Sequence, residues 1–349
     1  MNRIAILYQA IAPALIDGAK KPMKKGGYAD SGADIACQLH RSEIIIPVDH
    51  PNALHDLDWV FPDTHEGIET AIRKGAGTFW LNTVLFKGHP IEDFFTKNMS
   101  FIGQLPDQVG IYDDKFKTNK FLAENGLRIP QSILIRKDQM SEPIIRMNFP
   151  MVLKPNRGRG SQGVVVVGNE LELKKELKDL FARNEFGAKV YVEEFLPGKE
   201  ITVTVMPPGG YVLQGKERRL ENPWSLPAIE RLNHKKGVAP YSGRVAVIEN
   251  SRALSLEERN SDEIEGVCSQ CEKAARLINI KAPIRIDCRK GKNNKFYLFD
   301  LNLKPNMTGP SRVHRQNQDS LTLLAAREIG WTYSDLLSNI ASQRWQGIS

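Results

Sequence analysis

Four polar residues near the C-terminal end of the chain, Arg285, Asp287, Asp300 and Asn302, stand at spacings that could do chemistry. They lie in PIRIDCRKGKNNKFYLFDLNLKPNMT, residues Pro283–Thr308, where two apolar-rich runs, Ile284–Cys288 and Lys295–Leu301, flank the polar turn RKGKNN. That pattern reads as a β-hairpin. Side chains alternate between faces along a strand, so Arg285 and Asp287 share one face and Asp300 and Asn302 share one on the returning strand; hairpin register can gather all four. Two carboxylates and an amide oxygen are hard donors. They suit Mg²⁺, which keeps coordination positions for phosphates and water. The fork of an arginine beside them matches a phosphate or a developing oxyanion. A hairpin with a solvated polar face carries the same letters, so the elements around it must decide between the two.

Those elements come from a chain of 349 residues, enough for two or three domains of roughly 100–200 residues each. Hydrophobic residues at 41% and charged residues at 26% are ordinary for a soluble globular protein, and no apolar run reaches membrane-spanning length. The opening MNRIAILYQAIAPALIDGAKK enters a strand-like run at once and lacks a signal-peptide cleavage pattern. Four cysteines, Cys37, Cys268, Cys271 and Cys288, are too few and too scattered for a disulfide framework, which points to a reducing, cytoplasmic compartment. Cys268 and Cys271 form a CxxC inside a helical pattern with no second pair, so they read as core thiols. The formal charge of +7 is spread among interleaved acids with no aromatic–basic motif, which favours an anionic small molecule over nucleic acid.

Along the chain, Arg3–Tyr8 alternates like a first strand, Ser31–Leu39 is helical and Glu43–Val48 returns to strand character. Asp58–Phe61, Glu66–Lys74 and Thr78–Leu81 repeat this order, so residues 1–105 read as a small parallel α/β domain. The basic insertion GAKKPMKKGGY follows the first strand, where α/β proteins place ligand loops. A helix is expected from Asp113–Asp114 to Glu124, with Lys115 near its start. Strands at Gln131–Ile135, Met151–Lys154, Val164–Val167, Lys189–Phe195, Ile201–Met206 and Tyr211–Gly215 follow, with a helix over Asn169–Arg183. The stretch Lys216–Gly243 reads as a long, basic, irregular loop able to close over a site. Leu256–Ile278 reads as one long helix, and Asp319–Ile329 and Tyr333–Ser342 as two more.

The run NRGRGSQG contains Gly158-x-Gly160-x-x-Gly163, the letters of a dinucleotide fingerprint. That fingerprint needs a helix after the glycines, whereas VVVV reads as a strand, and no Gly-Lys-Ser/Thr completes a Walker loop. A glycine-rich turn between antiparallel strands remains, whose amides can lie over phosphates while Lys154 reaches them as a point charge. In VEEFLPGKE, Glu193, Glu194 and Glu200 cluster about a turn; strand-end backbone groups there can meet an adenine edge and a carboxylate can meet ribose hydroxyls.

FPMVLKPNRGRGSQGVVVV, VYVEEFLPGKEITV and RIDCRKGKNNKFYLFDLNLKPNMTGPS, in this order, resemble the ATP-grasp superfamily, most closely D-alanine:D-alanine ligase and its relatives, over residues 101–340. The resemblance implies an ATP-grasp fold of mixed α/β (α+β) class behind an N-terminal Rossmann-like pre-ATP-grasp domain. Its divisions would be 1–105, 106–210 for the ATP lid and 211–349 for the metal and substrate site. It implies an ADP-forming carboxylate–amine ligase acting through an acyl phosphate, with ATP and Mg²⁺ (two ions, Mn²⁺ as a substitute) and two small-molecule substrates. Alternatives are a D-alanine:D-alanine ligase proper and a catalytically inactive nucleotide sensor. Carried over by position, Lys115 and Lys154 with Gly158, Gly160, Ser161 and Gly163 would hold phosphates. Glu193, Glu194, Phe195, Leu196 and Glu200 would surround adenine and ribose. Asp287, Asp300 and Asn302 would hold metal, Arg285 would stabilise the intermediate, and Lys235 or Lys236 would reach the transferred phosphate. Ser311 would sit near the second substrate's carboxylate. Asp300 stands where the family has glutamate and Asn306 where it has glycine. The family's Ser-x-Glu, which holds an ammonium, is replaced by KKPMKKGGYADSG, and its His-Gly loop by LNTVLFKGHP. A homodimer is compatible with the resemblance; no nucleic-acid or membrane partner is expected.

Overall fold

The apolar core of RIAILY forms the strand Arg3–Tyr8, whose Ile4, Ala5, Ile6 and Leu7 are all buried. Burial on both faces is what a parallel strand covered by helices requires. It pairs in parallel with Ile44–Ile45, Phe61–Pro62 and Ala76–Trp80, and the last pairs in parallel with Ser100–Ile102. Helices Ala29–Leu39 and His65–Arg73 supply the crossovers. The computed structural model describes residues 3–20, 23–39, 43–95, 98–139, 147–158, 160–183, 185–234, 237–238 and 246–347. Lys235 and Lys236 therefore lie outside the described residues.

A second sheet is antiparallel throughout, in the order Val165–Val167, Met151–Pro155, Lys189–Glu194, Ser132–Arg136. The helix Glu170–Ala182, N-capped by the Asn169 side chain, buries Leu173, Leu177, Leu180 and Phe181 against it. The third sheet runs Ser251–Ala253, Ile229–Arg231, Glu200–Met206, Ile284–Lys290, Phe296–Asn302, with Trp224–Ser225 also on Glu200–Met206. The helix Asp262–Leu277 packs on it through Ile264, Val267, Cys271, Ala274 and Ala275.

The structure corrects several sequence expectations. Lys216–Gly243 is not one irregular loop: Lys216–Leu220 is a strand paired with Gly209–Leu213, and Trp224–Ser225 and Ile229–Arg231 join the third sheet. The long helix expected over Leu256–Ile278 is two, Leu256–Arg259 and Asp262–Leu277, because Ser261 turns its side chain to accept the Ile264 N–H and caps a new start. The strand Glu200–Met206 pairs within the third sheet, and Trp345–Gln346 returns to edge the first sheet.

Candidate active site

The hairpin Ile284–Lys290 and Phe296–Asn302 has the register that gathers the four polar residues: Arg285 stands opposite Asn302 and Asp287 opposite Asp300. On the other side Thr202 faces Asp287 and Thr204 faces Arg285. A row Thr202–Asp287–Asp300 thus crosses three strands. The Thr202 hydroxyl donates to Asp287 Oδ1 at 2.6 Å, and Arg285 donates to both Asp287 oxygens, each at 3.2 Å. Asp300 is ion-paired with Lys115, which comes from a different element.

Local chemistry explains how Lys115 gets there. Asp114 caps the helix Lys115–Glu124 by accepting the Lys117 N–H, and the start of that helix is tied to the glycine-loop strand. The Asn156 carbonyl accepts the Lys115 N–H at 3.2 Å and its side chain accepts the Phe116 N–H at 3.0 Å. Arg157, buried, donates to Asp113 at 3.1 Å. The letters N and R of PNRGRG are therefore anchors for the lysine helix. Lys154 is ion-paired with buried Glu193 across the second sheet and lies 4.6 Å from the centre of the Phe299 ring.

The charges tune one another. Burial alone would raise the Asp300 carboxyl, but Lys115, Lys154 and Arg285 outweigh it and hold the group below its ordinary value. Burial would likewise lower Lys115, and Asp300, Asp113 and Asp287 together hold it above the ordinary lysine value. For Glu193 burial wins over the attraction of Lys154, and its carboxyl is raised.

These groups line one cavity of about 690 Å³, within the roughly 300–1,000 Å³ of a small-molecule site. Of the residues expected from sequence, Lys115, Lys154, Gly158, Gly160 and Ser161 line it, as do Glu193, Glu194, Phe195, Leu196 and Glu200 and the four hairpin residues. Two do not. Gly163 is left-handed at φ +72°, and a Cβ there would come within 2.8 Å of Pro155, so its lack of a side chain serves packing. Ser311 is not on the cavity wall either; its carbonyl instead meets Cys37 Sγ at 3.6 Å, and Thr308, Asn306 and Arg315 line the cavity near it. Glu200 accepts from His234 at 2.9 Å and lies 3.5 Å from Arg289.

Residues absent from the sequence expectation also line the wall. Arg231 sits in a strand where a loop was expected, opposite Glu200, and its guanidinium is lowered chiefly by burial. Thr202 carried no signal beyond a β-branched strand letter. Thr83 donates to buried Asp63, which also accepts from the Ala10 and Ile11 N–H groups at 2.8 and 3.0 Å and meets His89 Nε2 at 3.1 Å. Because His89 Nδ1 accepts the Ile91 N–H, Nε2 carries the proton to Asp63.

Divalent metal is tested by the donors themselves. Asp287 and Asp300 each already hold a cationic side chain, and Asn302 adds an amide oxygen, so the trio fits a hard cation. Among the described residues no cluster of three or more His, Cys, Asp or Glu offers a softer or denser site.

Residues 122–342 match the family model described as D-ala D-ala ligase C-terminus. The D-alanine–D-alanine ligase of Aquifex aeolicus is 29% identical over 192 residues, 55% of this chain and 55% of that protein. The chain thus spans about half the length of that relative. By structure, D-alanine–D-alanine ligase from Bacillus anthracis complexed with ATP superposes with a TM-score of 0.64 at 20% identity, covering 98% of this chain and 97% of that one. The VanG D-Ala:D-Ser ligase from Enterococcus faecalis gives 0.64 at 12% identity, covering 98% and 99%. The fold is ATP-grasp, and the chain belongs to the D-alanine–D-alanine ligase family.

Proposed function

We propose that this protein is an ATP-dependent carboxylate–amine ligase that activates an acid as its acyl phosphate and releases ADP and phosphate. The observation that carries this is the convergence, in one cavity, of the Asp287–Asp300 row, Arg285, two lysines and the glycine turn. Nucleotide binding alone does not call for Arg285 beside paired carboxylates. Asp287, Asp300 and Asn302 would hold Mg²⁺ or Mn²⁺, most simply two ions, which supplies charge neutralisation on the triphosphate. Lys115, Lys154 and the amides of Gly158, Gly160 and Ser161 bind phosphate oxygens, and Glu193, Glu194, Phe195 and Leu196 with Glu200 receive the nucleoside.

In the first step a carboxylate oxygen of the substrate bonds to the γ-phosphorus, and the bond to the bridging oxygen breaks with its electrons leaving on ADP. An amine nitrogen then bonds to the acyl carbon, the C–O bond to phosphate breaks, and one proton is released overall. Phosphate leaves far more readily than oxide, so one difficult step becomes two easier ones. Arg285 faces the negative charge that develops in both.

The test is ADP release against a matrix of amino acids and carboxylates, with product mass read for each active pair. Turnover that requires an acid and an amine together supports the ligase. Nucleotide binding without turnover in any pair would instead make the chain a nucleotide sensor. D-alanine for both substrates is one cell of that matrix.

A further inference from the structure

The segment after the strand Arg3–Tyr8 contains a small hairpin. Leu15–Ile16 pairs antiparallel with Ala19–Lys20 across the two-residue turn Asp17-Gly18. Both turn residues are left-handed, at φ +54° and +73°, the geometry in which Asp-Gly is favoured. Two-residue strands do not hold a hairpin in water by themselves, so its contacts at either end decide its place. Just before it, buried Asp63 accepts the Ala10 and Ile11 N–H groups at 2.8 and 3.0 Å and ties the chain to the first sheet.

The tip reaches the second sheet. Buried Ala19 forms an antiparallel bridge with Phe186. The Asp17 carboxylate is paired with Lys189 at 3.2 Å and lies 3.9 Å from Arg157 Nε, a buried donor with no hydrogen-bond partner among the described residues. Gly187 is left-handed at φ +74°, and a Cβ there would come within 2.8 Å of both the Asp17 carbonyl oxygen and the Ala19 nitrogen. The close approach of the hairpin therefore requires that glycine.

Both residues met by the tip lead to the proposed phosphate site. Arg157 donates to Asp113 at 3.1 Å, two residues before Lys115. Phe186 packs against the glycine turn, where a Cβ on Gly163 would lie 3.0 Å from its ring. Ile16 and Ala19 line the cavity, as do Gly158 and Gly160. Asp17 and Lys189 keep 36% and 27% of their side-chain exposure, and ion pairs this open to water add little to stability.

We propose that Asp17 is a positioning residue for the nucleotide: the hairpin clasps the second sheet to the first and, through Arg157 and Phe186, sets the glycine turn and the start of the Lys115 helix around the triphosphate. This rests on the reading of the cavity as a ligase's ATP site. Calorimetric titration of the full chain with Mg²⁺ compares a non-hydrolysable ATP analogue with adenosine, which lacks the phosphates. Asp17→Asn keeps a residue tolerant of the left-handed turn and removes only the charge. It should lower the ratio of analogue to adenosine affinity by about threefold to tenfold, the range for a residue that acts through others, with adenosine affinity and the thermal transition unchanged. Gly187→Ala, which pushes the hairpin away while every charge stays, should lower the same ratio, and it decides the question should Asp17→Asn not fold. A wild-type ratio in Asp17→Asn, including an equal loss for both ligands as a merely structural role would give, overturns the proposal. Wild type binding the analogue no better than adenosine overturns it together with the ATP site. Trapping with hydroxylamine, which converts an acyl phosphate to a hydroxamate, tests the ligase reading separately. Hydroxamate from none of the acids sinks that reading, while the affinity ratio still decides the role of Asp17.

Discussion

Replacing Lys115 by methionine should cost stability through Asp300. The pair is neither surface nor core: the two side chains keep 22% and 32% of their exposure. Exposed pairs contribute roughly 0–1 kcal/mol and a broken buried pair costs roughly 3–5 kcal/mol, so a partly screened one should cost about 2 kcal/mol. The pH dependence has a definite sign. Asp300 is held below its ordinary carboxylate value, so its contribution is complete above that value and is lost as pH falls through its folded value. Lys115 is held above the ordinary lysine value, so its contribution is complete below that value and is lost only as pH rises through its folded one. Between those limits the gap between wild type and Lys115→Met should be flat, with equal values at about pH 5 and about pH 7, and it should narrow towards about pH 3. Urea unfolding of wild type, Lys115→Met, Asp300→Asn and the double variant closes a cycle whose coupling should be about 1–2 kcal/mol. A coupling of zero, or a gap that stays constant down to acid pH, would refute the ion pair as the source.

Asp300→Ala and Asn302→Ala should each lower hydroxamate formation by roughly 100-fold or more while the thermal transition survives, since an oxyanion or metal ligand is typically worth that much; turnover near wild type in either removes the metal assignment. Lys154→Met should weaken ATP binding by calorimetry and also destabilise, because it strands the buried Glu193 carboxylate. Adding Glu193→Gln should restore stability without restoring ATP affinity, and recovery of both together would mean that the lysine acts only through the pair. At Gly27, φ is +55° and a Cβ would lie 1.9 Å from the Gln9 carbonyl oxygen, whereas Gly26 at φ +76° has nothing within 4 Å. Gly27→Ala should therefore cost several times the ~1 kcal/mol expected of Gly26→Ala, and equal melting shifts for the two would contradict the close approach.

What could be read from the letters follows from where hydrophobic period carries information. The hairpin at Ile284–Asn302 was legible because buried Ile284, Ile286 and Cys288 alternate with polar residues that share the other face. Strands in 216–231 were not: Lys216–Leu220 is KERRL, exposed in a two-stranded ribbon, and its pairing comes from backbone bonds that no side-chain pattern records. Ser255 and Ser261 each cap a separate helix, yet the apolar spacing bridges the break and hides it. Ser311 was placed by resemblance alone. Its departure from the cavity accompanies Arg312, a fully buried guanidinium held by Asp34 at 2.9 Å and Asp56 at 2.6 Å, a tie across 278 residues of chain that spacing cannot foretell.

The residue types of the site were readable, but their pairing was not, and the pairing matters for the proposed reaction. Lys115 and Lys154, the two cations proposed to meet phosphate, each neutralise a carboxylate in this state, Asp300 and Glu193. Neither lysine can turn to a phosphate without uncovering that carboxylate beside the incoming triphosphate, and two like charges at close range in a half-buried cavity repel strongly. Glu193 has a way out, since its raised carboxyl accepts a proton more readily than an ordinary one. Asp300 is held low first of all by Lys115 itself, so Lys115 leaves it an uncompensated carboxylate unless other positive charge takes its place at the Asp287–Asp300 row. Nucleotide and divalent cation should therefore bind with positive coupling at this hairpin, and the coupling should shrink in Lys115→Met, where Asp300 has no lysine to lose.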